Sequence, residues 1–253
     1  MRAEYKNKKL VAVIPARMAS TRYHGKPLVK ILGKEMIQWV YEICMQCTLL
    51  KDVYIATDHE DIQQFCEAQG MRYLMTSPEH KNCAERSNEV CKRMGADFVL
   101  EIQGDEPTLL PQEIDDFVNR AFDYPQFDIV TRYVDITEKE AHYPHNVKIV
   151  LGQEGRALFF SRSAIPFNFK NQQPKYYKQV GLHLWTASGI ERFSNLPKSY
   201  LESMEDTHML RMIENNFDIR LVHTTVQNVG VDVPEDVARA EDFLRKRQLM
   251  EKV

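Results

Sequence analysis

The sequence of 253 residues has neither a long hydrophobic run nor a marked excess of charge of one sign. No segment approaches the roughly 18 consecutive apolar residues of a membrane-spanning helix. The formal net charge is −3, so the protein has no overall basic field that would hold nucleic acid. Residues 1–9 are polar and basic, without the apolar stretch of an export signal. We therefore expect a soluble, cytoplasmic protein with no membrane or nucleic-acid partner.

Cysteine is scarce, and its pattern argues against a disulfide framework. The chain has five cysteines, an odd number, and no sign of export. Cys44 and Cys47 form a C-x-x-C pair, but they lie in "EMIQWVYEICMQC", where apolar residues recur at helical spacing. No second pair or histidine cluster nearby completes a zinc or redox site. The sequence predicts that both cysteines lie on the buried face of a helix.

The two common glycine motifs of phosphate-binding loops are also absent. The chain contains neither G-x-x-x-x-G-K-[ST] nor G-x-G-x-x-G. The first absence excludes a loop of the Walker type. The second makes a dinucleotide-dependent oxidoreductase a weak alternative, because such enzymes bind the pyrophosphate at those glycines.

A basic loop follows the first hydrophobic segment instead. In "PARMASTRYHGKP", residues 15–27, Arg17, Arg22 and Lys26 supply three positive charges, and Gly25 permits a sharp turn. Arginine side chains bind phosphate oxygens in pairs, and a lysine acts as a compact point charge. The composition suits a triphosphate, although a solvated surface turn explains the loop equally well when it is taken alone.

Hydrophobic segments of strand length alternate with helical periodicity through the first half of the chain. This pattern predicts βαβ units, and hence an α/β fold with a mostly parallel sheet and helices on both faces. Ligands of such sheets bind beyond the carboxyl ends of the strands, where this sequence gathers polar residues, "QGDEP" at 103–107 among them. The predicted strands are 9–16, 52–58, 71–77 and 97–107, and the predicted helices are 35–48, 59–69, 84–94 and 111–122.

The second half of the chain has shorter segments and a different pattern. "NVKIVLG" and "ALFFSR" flank the hairpin-like turn "GQEG", and "FDIVTRYVD" and "KQVGLHLWTA" are also short. We therefore expect a smaller mixed or antiparallel subdomain beside the parallel sheet. No linker or repeat separates the two parts, which predicts one domain over 1–253.

Residues 14–28, "IPARMASTRYHGKPL", resemble the signature loop of the 3-deoxy-manno-octulosonate (Kdo) cytidylyltransferase family. Further blocks match that family in order: "GKEMIQWVYE" at 33–42, "IATDHEDI" at 55–62, "MTSPEHKNCAERSNEV" at 75–90, "QGDEP" at 103–107, "NVKIV" at 146–150, "ALFFSRSAIP" at 157–166 and "GVDVPED" at 230–236. The resemblance covers essentially the whole chain. It implies a Rossmann-like nucleotidyltransferase sheet of the GT-A type and transfer of CMP from CTP to an acidic sugar, with release of pyrophosphate, for surface lipopolysaccharide.

The resemblance also implies that different parts of the chain bind the nucleotide and the acceptor. The nucleotide-binding part would comprise about 9–125 plus 226–253, and the part for the acceptor and for dimerisation about 126–225. We expect a homodimer, since the family usually forms one through the smaller part, near "SRSAIP". The substrates implied are CTP and a small acidic sugar.

Roles for particular residues follow from the same resemblance. Asp105 and Asp232 would hold Mg²⁺, two ions in all, since Mg²⁺ is usually bound by one or two carboxylates together with substrate phosphates. The catalytic residues implied are Lys26, Arg17 and Asp105, and the nucleotide-binding residues are Pro15, Ala16, Arg17, Arg22, Lys26, Arg86 and Gln103. The acceptor-binding residues implied are Arg162, His183, His208 and Gln103. Structural alternatives stay open: Asp232 as a helix cap, Asp105 as a turn residue and Arg162 as a surface or interface charge.

The acceptor region departs most from the family pattern. "QVGLHLWTA" replaces the common "HIGIYAYR", and "DTHMLR" replaces the usual "LEQLR", which puts His183, His208 and Met209 at acceptor positions. These changes remove hydrogen-bond partners for the hydroxyl groups of Kdo, and a hydroxyl buried without a partner costs about 1 to 3 kcal/mol. The expectation that Kdo itself is the acceptor is therefore weaker. Kdo, a modified form such as 8-amino-Kdo, and a different acid or phosphonate stay open as acceptors, and either histidine could be a core residue. A catalytically silent nucleotide-binding subunit is a further alternative, which the presence of Lys26 and Asp105 opposes.

Overall fold

The computed structural model describes residues 5, 7–19, 23–226 and 228–250. Arg22, one of the predicted nucleotide-binding residues, lies outside these described residues. The strands are β1 (Leu10–Ala16), β2 (Lys30–Ile31), β3 (Lys34–Glu35), β4 (Asp52–Thr57), β5 (Tyr73–Met75), β6 (Phe98–Glu101), β7 (Ile129–Ile136), β8 (Lys148–Leu151), β9 (Ala157–Ser161), β10 (Tyr176–Thr186) and β11 (Ile219–His223).

The helices of the described residues are α1 (Met36–Met45), α2 (Glu60–Gln69), α3 (Cys83–Met94), α4 (Pro111–Ala121), α5 (Glu138–Ala141), α6 (Ala187–Ser194), α7 (Tyr200–Glu205), α8 (Met209–Glu214) and α9 (Glu235–Met250). None of them is long and apolar enough to cross a membrane. The predicted alternation of strands and helices over the first half of the chain is confirmed. The strand predicted at 97–107 ends at Glu101, because the residues that follow leave the sheet as a loop, and the other predicted boundaries lie within three residues of those observed.

A single large sheet organises these elements in the order β11-β7-β10-β6-β1-β4-β5. β10 is antiparallel to its neighbours β6 and β7, whereas the other pairs along this order are parallel. The hairpin of β8 and β9 pairs with β10 at one end. The predicted fold class, a mostly parallel α/β sheet with a smaller antiparallel part, is confirmed. The division of the domain into two functional parts stays a prediction.

The central strand β1 is buried on both faces of the sheet. Successive side chains of a strand point to opposite faces, and Ala12 and Ile14 pack into one apolar cluster while Val11 and Val13 pack into another. The first cluster includes apolar residues of α1, α2 and α4, and the second includes those of α3, α6 and α8. Helices therefore cover both faces, and the loops at the carboxyl ends of the strands are what the sheet presents to a ligand.

The C-x-x-C pair is part of this packing, which confirms the predicted burial, but the predicted helix ends at Met45 and does not include Cys47. Cys44 lies within α1 and Cys47 just beyond it, and both side chains are buried in the first apolar cluster. Burial raises the pKa of the Cys47 thiol to about 12, so the group stays protonated at neutral pH. These cysteines act as small apolar core residues.

Candidate active site

In the basic loop after β1, a backbone hydrogen bond joins the two ends of the turn just before Lys26. Gly25 has a φ of 70°, in the left-handed region that glycine adopts without strain, and its amide donates to the carbonyl oxygen of Met18 at 3.1 Å. A short 3-10 turn, Lys26–Leu28, follows directly, with Pro27 in its first turn. This local structure sets the position of the Lys26 backbone.

Lys26 lies between two carboxylates that come from distant parts of the sequence. Its Nζ is 2.6 Å from Oδ2 of Asp105, which follows β6, and 3.6 Å from Oδ1 of Asp232, which precedes α9. The amide of Val231 also donates to the carbonyl oxygen of Asp105 at 2.9 Å, which joins the two segments through their backbones. The structure thus brings together three residues of the predicted catalytic and metal-binding set.

Asp232 lies just before α9, and its carboxylate is 3.6 Å from the ammonium group of Lys26. Asp236, in the first turn of α9, accepts hydrogen bonds through its Oδ2 from the amides of Asp232 and Val233 at 3.0 and 3.2 Å. An acid in the first turn of a helix commonly binds back in this way to an amide that precedes the helix. The contact with Lys26 is the observation that brings Asp232 into the site, and the alternative role of Asp232 as a helix cap stays open.

A small pocket beside the lysine is formed by the end of β1 and the start of α3. Its lining residues are Pro15, Ala16, Arg17, His80, Asn82, Cys83 and Arg86. Four of the predicted nucleotide-binding residues, Pro15, Ala16, Arg17 and Arg86, therefore line the same pocket. Burial raises the pKa of the Cys83 thiol in this pocket to about 12, so the group stays protonated at neutral pH and Cys83 is a passive thiol.

Arg86 is buried and is held by the ends of two neighbouring strands. Its Nη2 donates to Oδ2 of Asp58 at 2.8 Å, and its Nη1 donates to Oγ1 of Thr76. Asp58 follows β4 and Thr76 follows β5. Neither residue was among the predicted site residues, although both stand at strand ends where site residues are expected. They orient the guanidinium at the edge of the pocket.

The side chain of Gln103 is hydrogen-bonded to a buried acid, Glu101. Its Nε2 donates to Oε1 of Glu101 at 3.0 Å, while Oγ of Ser87 donates to Oε2 of the same carboxyl at 3.0 Å. Burial raises the pKa of Glu101 to about 7. Sequence reasoning missed Glu101 and Ser87; the available signal was an acid within the otherwise apolar strand β6.

A second acid with a raised pKa, the half-buried Glu106, directly follows the metal-binding candidate Asp105. Burial raises the pKa of Glu106 to about 7, although the nearby guanidinium of Arg132 acts in the opposite direction. Arg132 is only 2% exposed, and its Nε donates to the carbonyl oxygen of Gly181 at 2.9 Å. A Cβ at position 181 would come within 2.8 Å of Oε1 of Glu106, so glycine is what lets the acid approach β10.

The predicted acceptor residues His183, on β10, and His208, just before α8, lie next to each other. His183 is buried, its Nδ1 is 2.9 Å from Oγ1 of Thr131, and the centroids of the two imidazole rings are 5.9 Å apart. Burial lowers the pKa of His183 to about 3 and that of His208 to about 4, so both rings are neutral at pH 7. The Nε2 of His208 is buried without a hydrogen-bond partner among the described residues.

Met209 and Arg162 do not present open polar groups to a ligand. Met209 is fully buried in the second apolar cluster. The guanidinium of Arg162 donates to the carbonyl oxygens of Pro144, Glu205 and Asp206, at 3.1, 2.5 and 2.9 Å. Arg162 therefore ties the end of β9 to α7, and its contact with an acceptor carboxylate stays a prediction.

The architecture and these side chains define the class of protein. A putative glucose-1-phosphate thymidylyltransferase from Bacillus anthracis, in complex with a sucrose, has the same fold, with a TM-score of 0.69 at 15% identity, over 93% of this chain and 95% of that one. In this chain the carboxyl edge of the sheet carries a lysine between two carboxylates and a pocket with two arginines. The likeness to that structure shows the fold alone; the match to a cytidylyltransferase family model shows that the protein is a nucleotidyltransferase.

Closer relatives define the family. A cytidylyltransferase family model matches residues 11–220. The 3-deoxy-manno-octulosonate cytidylyltransferase of Bacteroides thetaiotaomicron is 37% identical over 251 residues, which cover 94% of this chain and 99% of that protein. A solved structure of CMP:2-keto-3-deoxy-manno-octonic acid synthetase in complex with CTP is similar with a TM-score of 0.90 and 33% identity, over 94% of this chain and 99% of that one. The chain belongs to the Kdo cytidylyltransferase family.

The buried carboxyl of Glu101 makes stability depend on pH in a predictable direction. Because its folded-state pKa is raised from 4.5 to about 7, folding favours the protonated form, and this contribution is lost as pH rises through 7. Glu101→Gln removes the ionisation. Relative to wild type, the variant should gain about 3 kcal/mol in unfolding free energy between pH 5 and pH 8. Chemical denaturation at the two pH values measures this gain.

The control is Glu191→Gln, which removes an exposed carboxylate paired with Lys92 on the surface. This variant should show no comparable gain between pH 5 and pH 8, because surface pairs contribute little. A pH-independent difference between wild type and Glu101→Gln would contradict the assignment of a buried titrating carboxyl.

Proposed function

We propose that the protein transfers CMP from CTP to Kdo, or to a modified form such as 8-amino-Kdo, with release of pyrophosphate. The observation that carries the proposal is the position of Lys26 between Asp105 and Asp232, beside a pocket with two arginines. The relatives support it, since the protein from Bacteroides thetaiotaomicron bears the name of this activity and the similar synthetase structure holds CTP.

The cationic residues suit a triphosphate. Transfer of a phosphoryl-centred group spreads negative charge over the phosphate oxygens, so catalysis rests on cations and on in-line positioning. Arg17 is exposed at the end of β1, and Arg86 is fixed by Asp58 at the opposite wall of the same pocket. In this proposal the arginines hold the triphosphate and Lys26 neutralises charge on the α-phosphate as its bond to pyrophosphate breaks.

Asp105 and Asp232 fit a divalent cation. Their carboxylates already approach one positive charge, the Lys26 ammonium, so the space between them suits a cation. Among the described residues no group of three or more His, Cys, Asp or Glu side chains could hold a metal by itself, which leaves ligand positions for phosphate oxygens and water. This donor set suits Mg²⁺, which keeps few protein ligands. Bound there, Mg²⁺ would stabilise charge on the triphosphate; a second ion stays part of the proposal.

The acceptor would lie on the side of His183 and His208. Both imidazoles are neutral at pH 7, so each can donate one hydrogen bond and accept another without placing a charge in the pocket. That property suits hydroxyl groups of a sugar. Glu202, the acid that acts on His208, accepts two hydrogen bonds from Arg211 at 2.7 and 2.8 Å. The acceptor-binding roles of Arg162 and Gln103 belong to the same proposal.

A homodimer in the cytoplasm remains part of the proposed function. Phe167 and Phe169 are 82% and 83% exposed, and Leu158 on β9 is 51% exposed. Large exposed apolar side chains within one short stretch support an association surface, as the resemblance implied for the region around "SRSAIP".

Pyrophosphate release across a panel of substrates tests the proposed reaction. With Mg²⁺ and CTP, turnover is expected with Kdo or 8-amino-Kdo, and turnover with ATP, GTP or UTP should be at least about 100-fold lower, because the base is read by hydrogen bonds. Sialic-type acids and small phosphonates complete the panel. Turnover only with one of these acids would overturn the choice of acceptor, and CTP binding without any turnover would favour the silent subunit.

Removal of either carboxylate tests the metal-binding residues. Asp105→Ala or Asp232→Ala should lower pyrophosphate release at least about 100-fold, as expected when a group that stabilises transition-state charge is removed. Circular dichroism should show an unchanged fold, and the Mg²⁺ concentration for half-maximal rate should rise where residual turnover is measurable. Asp242→Ala, an exposed position on α9, is the matched control and should leave the rate unchanged. Turnover near that of wild type in either site variant would refute the assignment.

A further inference from the structure

A fully buried carboxyl group lies directly beneath the pocket and has no role in the reaction proposed above. Glu101 ends β6 with 0% exposure. Among the described residues no cationic side chain lies within ion-pair distance of it. Placing an acid there is unfavourable unless its oxygens are hydrogen-bonded. Both oxygens are: Oε2 accepts from Oγ of Ser87, and Oε1 accepts from Nε2 of Gln103.

Oε1 of Glu101 accepts from Gln103 whether the carboxyl is ionised or carries its proton on Oε2 beside Ser87, because a carboxyl oxygen without a proton can only accept hydrogen bonds. Gln103 must turn the NH₂ side of its amide to Glu101, because its carbonyl oxygen has nothing to donate. The opposite side of the amide, Oε1, therefore faces away from Glu101. There it accepts a weak hydrogen bond from Sγ of Cys83 at 3.8 Å. Cys83 lines the pocket together with Ala16 and Arg17.

The surroundings of Glu101 leave no competing way to orient this amide. On the neighbouring strands, His183 of β10 and Val13 of β1 stand opposite Glu101 in register. His183 is engaged with Thr131 and is neutral at pH 7, and valine has no polar group. From α3, Ser87 is already bonded to the other carboxyl oxygen. The Glu101 carboxylate is thus the group that distinguishes the two ends of the Gln103 amide.

We propose that Glu101 is a positioning residue, which fixes the Gln103 amide so that its carbonyl oxygen faces the pocket and accepts a hydrogen bond from an N–H or O–H group of the substrate. The inference rests on the proposed function, in which Gln103 lies against the bound substrates. It deepens that function by stating what Gln103 recognises: a hydrogen-bond donor, and not an acceptor such as a carbonyl or phosphate oxygen.

The test compares four variants by kcat/KM in the pyrophosphate assay with CTP, Kdo and Mg²⁺. Glu101→Met removes the acceptor for the Gln103 NH₂ and fills the space, Glu101→Gln keeps a carbonyl that can accept from it, Gln103→Ala removes the contact, and Glu101→Met/Gln103→Ala combines the two. Ser87→Ala breaks the other hydrogen bond of Glu101 and is the matched control. Thermal unfolding of each variant checks the fold.

Loss of one substrate hydrogen bond should lower kcat/KM about fivefold to tenfold in Glu101→Met and at least as much in Gln103→Ala. Glu101→Gln and Ser87→Ala should stay within about threefold of wild type, because the amide of Gln103 keeps its partner. The double variant should be no worse than Gln103→Ala alone, since Glu101 acts through Gln103.

Three results would overturn the inference: additive losses in the double variant, wild-type kinetics in Glu101→Met, and wild-type kinetics in Gln103→Ala. If Glu101→Met does not fold, losses of about fivefold or more in both Glu101→Gln and Ser87→Ala would also overturn it, because both variants keep an acceptor for the NH₂ group of Gln103. Absence of turnover by the wild-type protein is a different outcome, which refutes the proposed function and with it the inference.

Discussion

The ion pairs of Lys26 with Asp105 and Asp232 are the interaction on which the rest of the site depends. They connect the loop after β1, the turn after β6 and the segment before α9 at one point of the sheet edge. Each partner arrives there because the strand that precedes it is buried and ends at that edge, or because its backbone is bonded to a neighbour, as Val231 is to Asp105. The site thus carries one positive and two negative side chains, and in the proposed reaction Lys26 faces the phosphate charge while the two carboxylates face a divalent cation.

Two acids lie near this site, one at the end of the buried strand β6 and one in the loop that follows it. Glu101 and Glu106 flank Asp105 in sequence, and burial raises the pKa of each to about 7. A buried carboxyl destabilises the fold unless its oxygens are hydrogen-bonded. The residues that make those hydrogen bonds are therefore held in fixed orientations. Glu101 orients Gln103, and Glu106 lies beside Arg132 and Gly181. The pocket wall is therefore defined by residues that a substrate need not touch.

Local pattern was sufficient to predict most strands and helices in the first half of the chain, but not the partners of the side chains. The spacing of apolar residues predicted α3 and β1, and the rule that ligands bind at carboxyl ends pointed to Asp105. Nothing local shows that Arg162 bonds to carbonyl oxygens of Pro144, Glu205 and Asp206, since those contacts span up to 44 positions. Likewise, the burial that makes His183 neutral comes from strands pairing across the sheet. The helices α7 and α8, with six residues each, are too short for a clear periodic signal.

The most direct test of the central claim is the rate of pyrophosphate release from CTP and Kdo by Lys26→Met, compared with Lys30→Met. Lys30 is 66% exposed on β2 and belongs to a surface pair with Glu35. If the ammonium of Lys26 stabilises charge at the reacting phosphate, Lys26→Met should lose at least about 100-fold in rate while Lys30→Met keeps the wild-type rate. A folded Lys26→Met protein that turns over as fast as Lys30→Met would contradict the account.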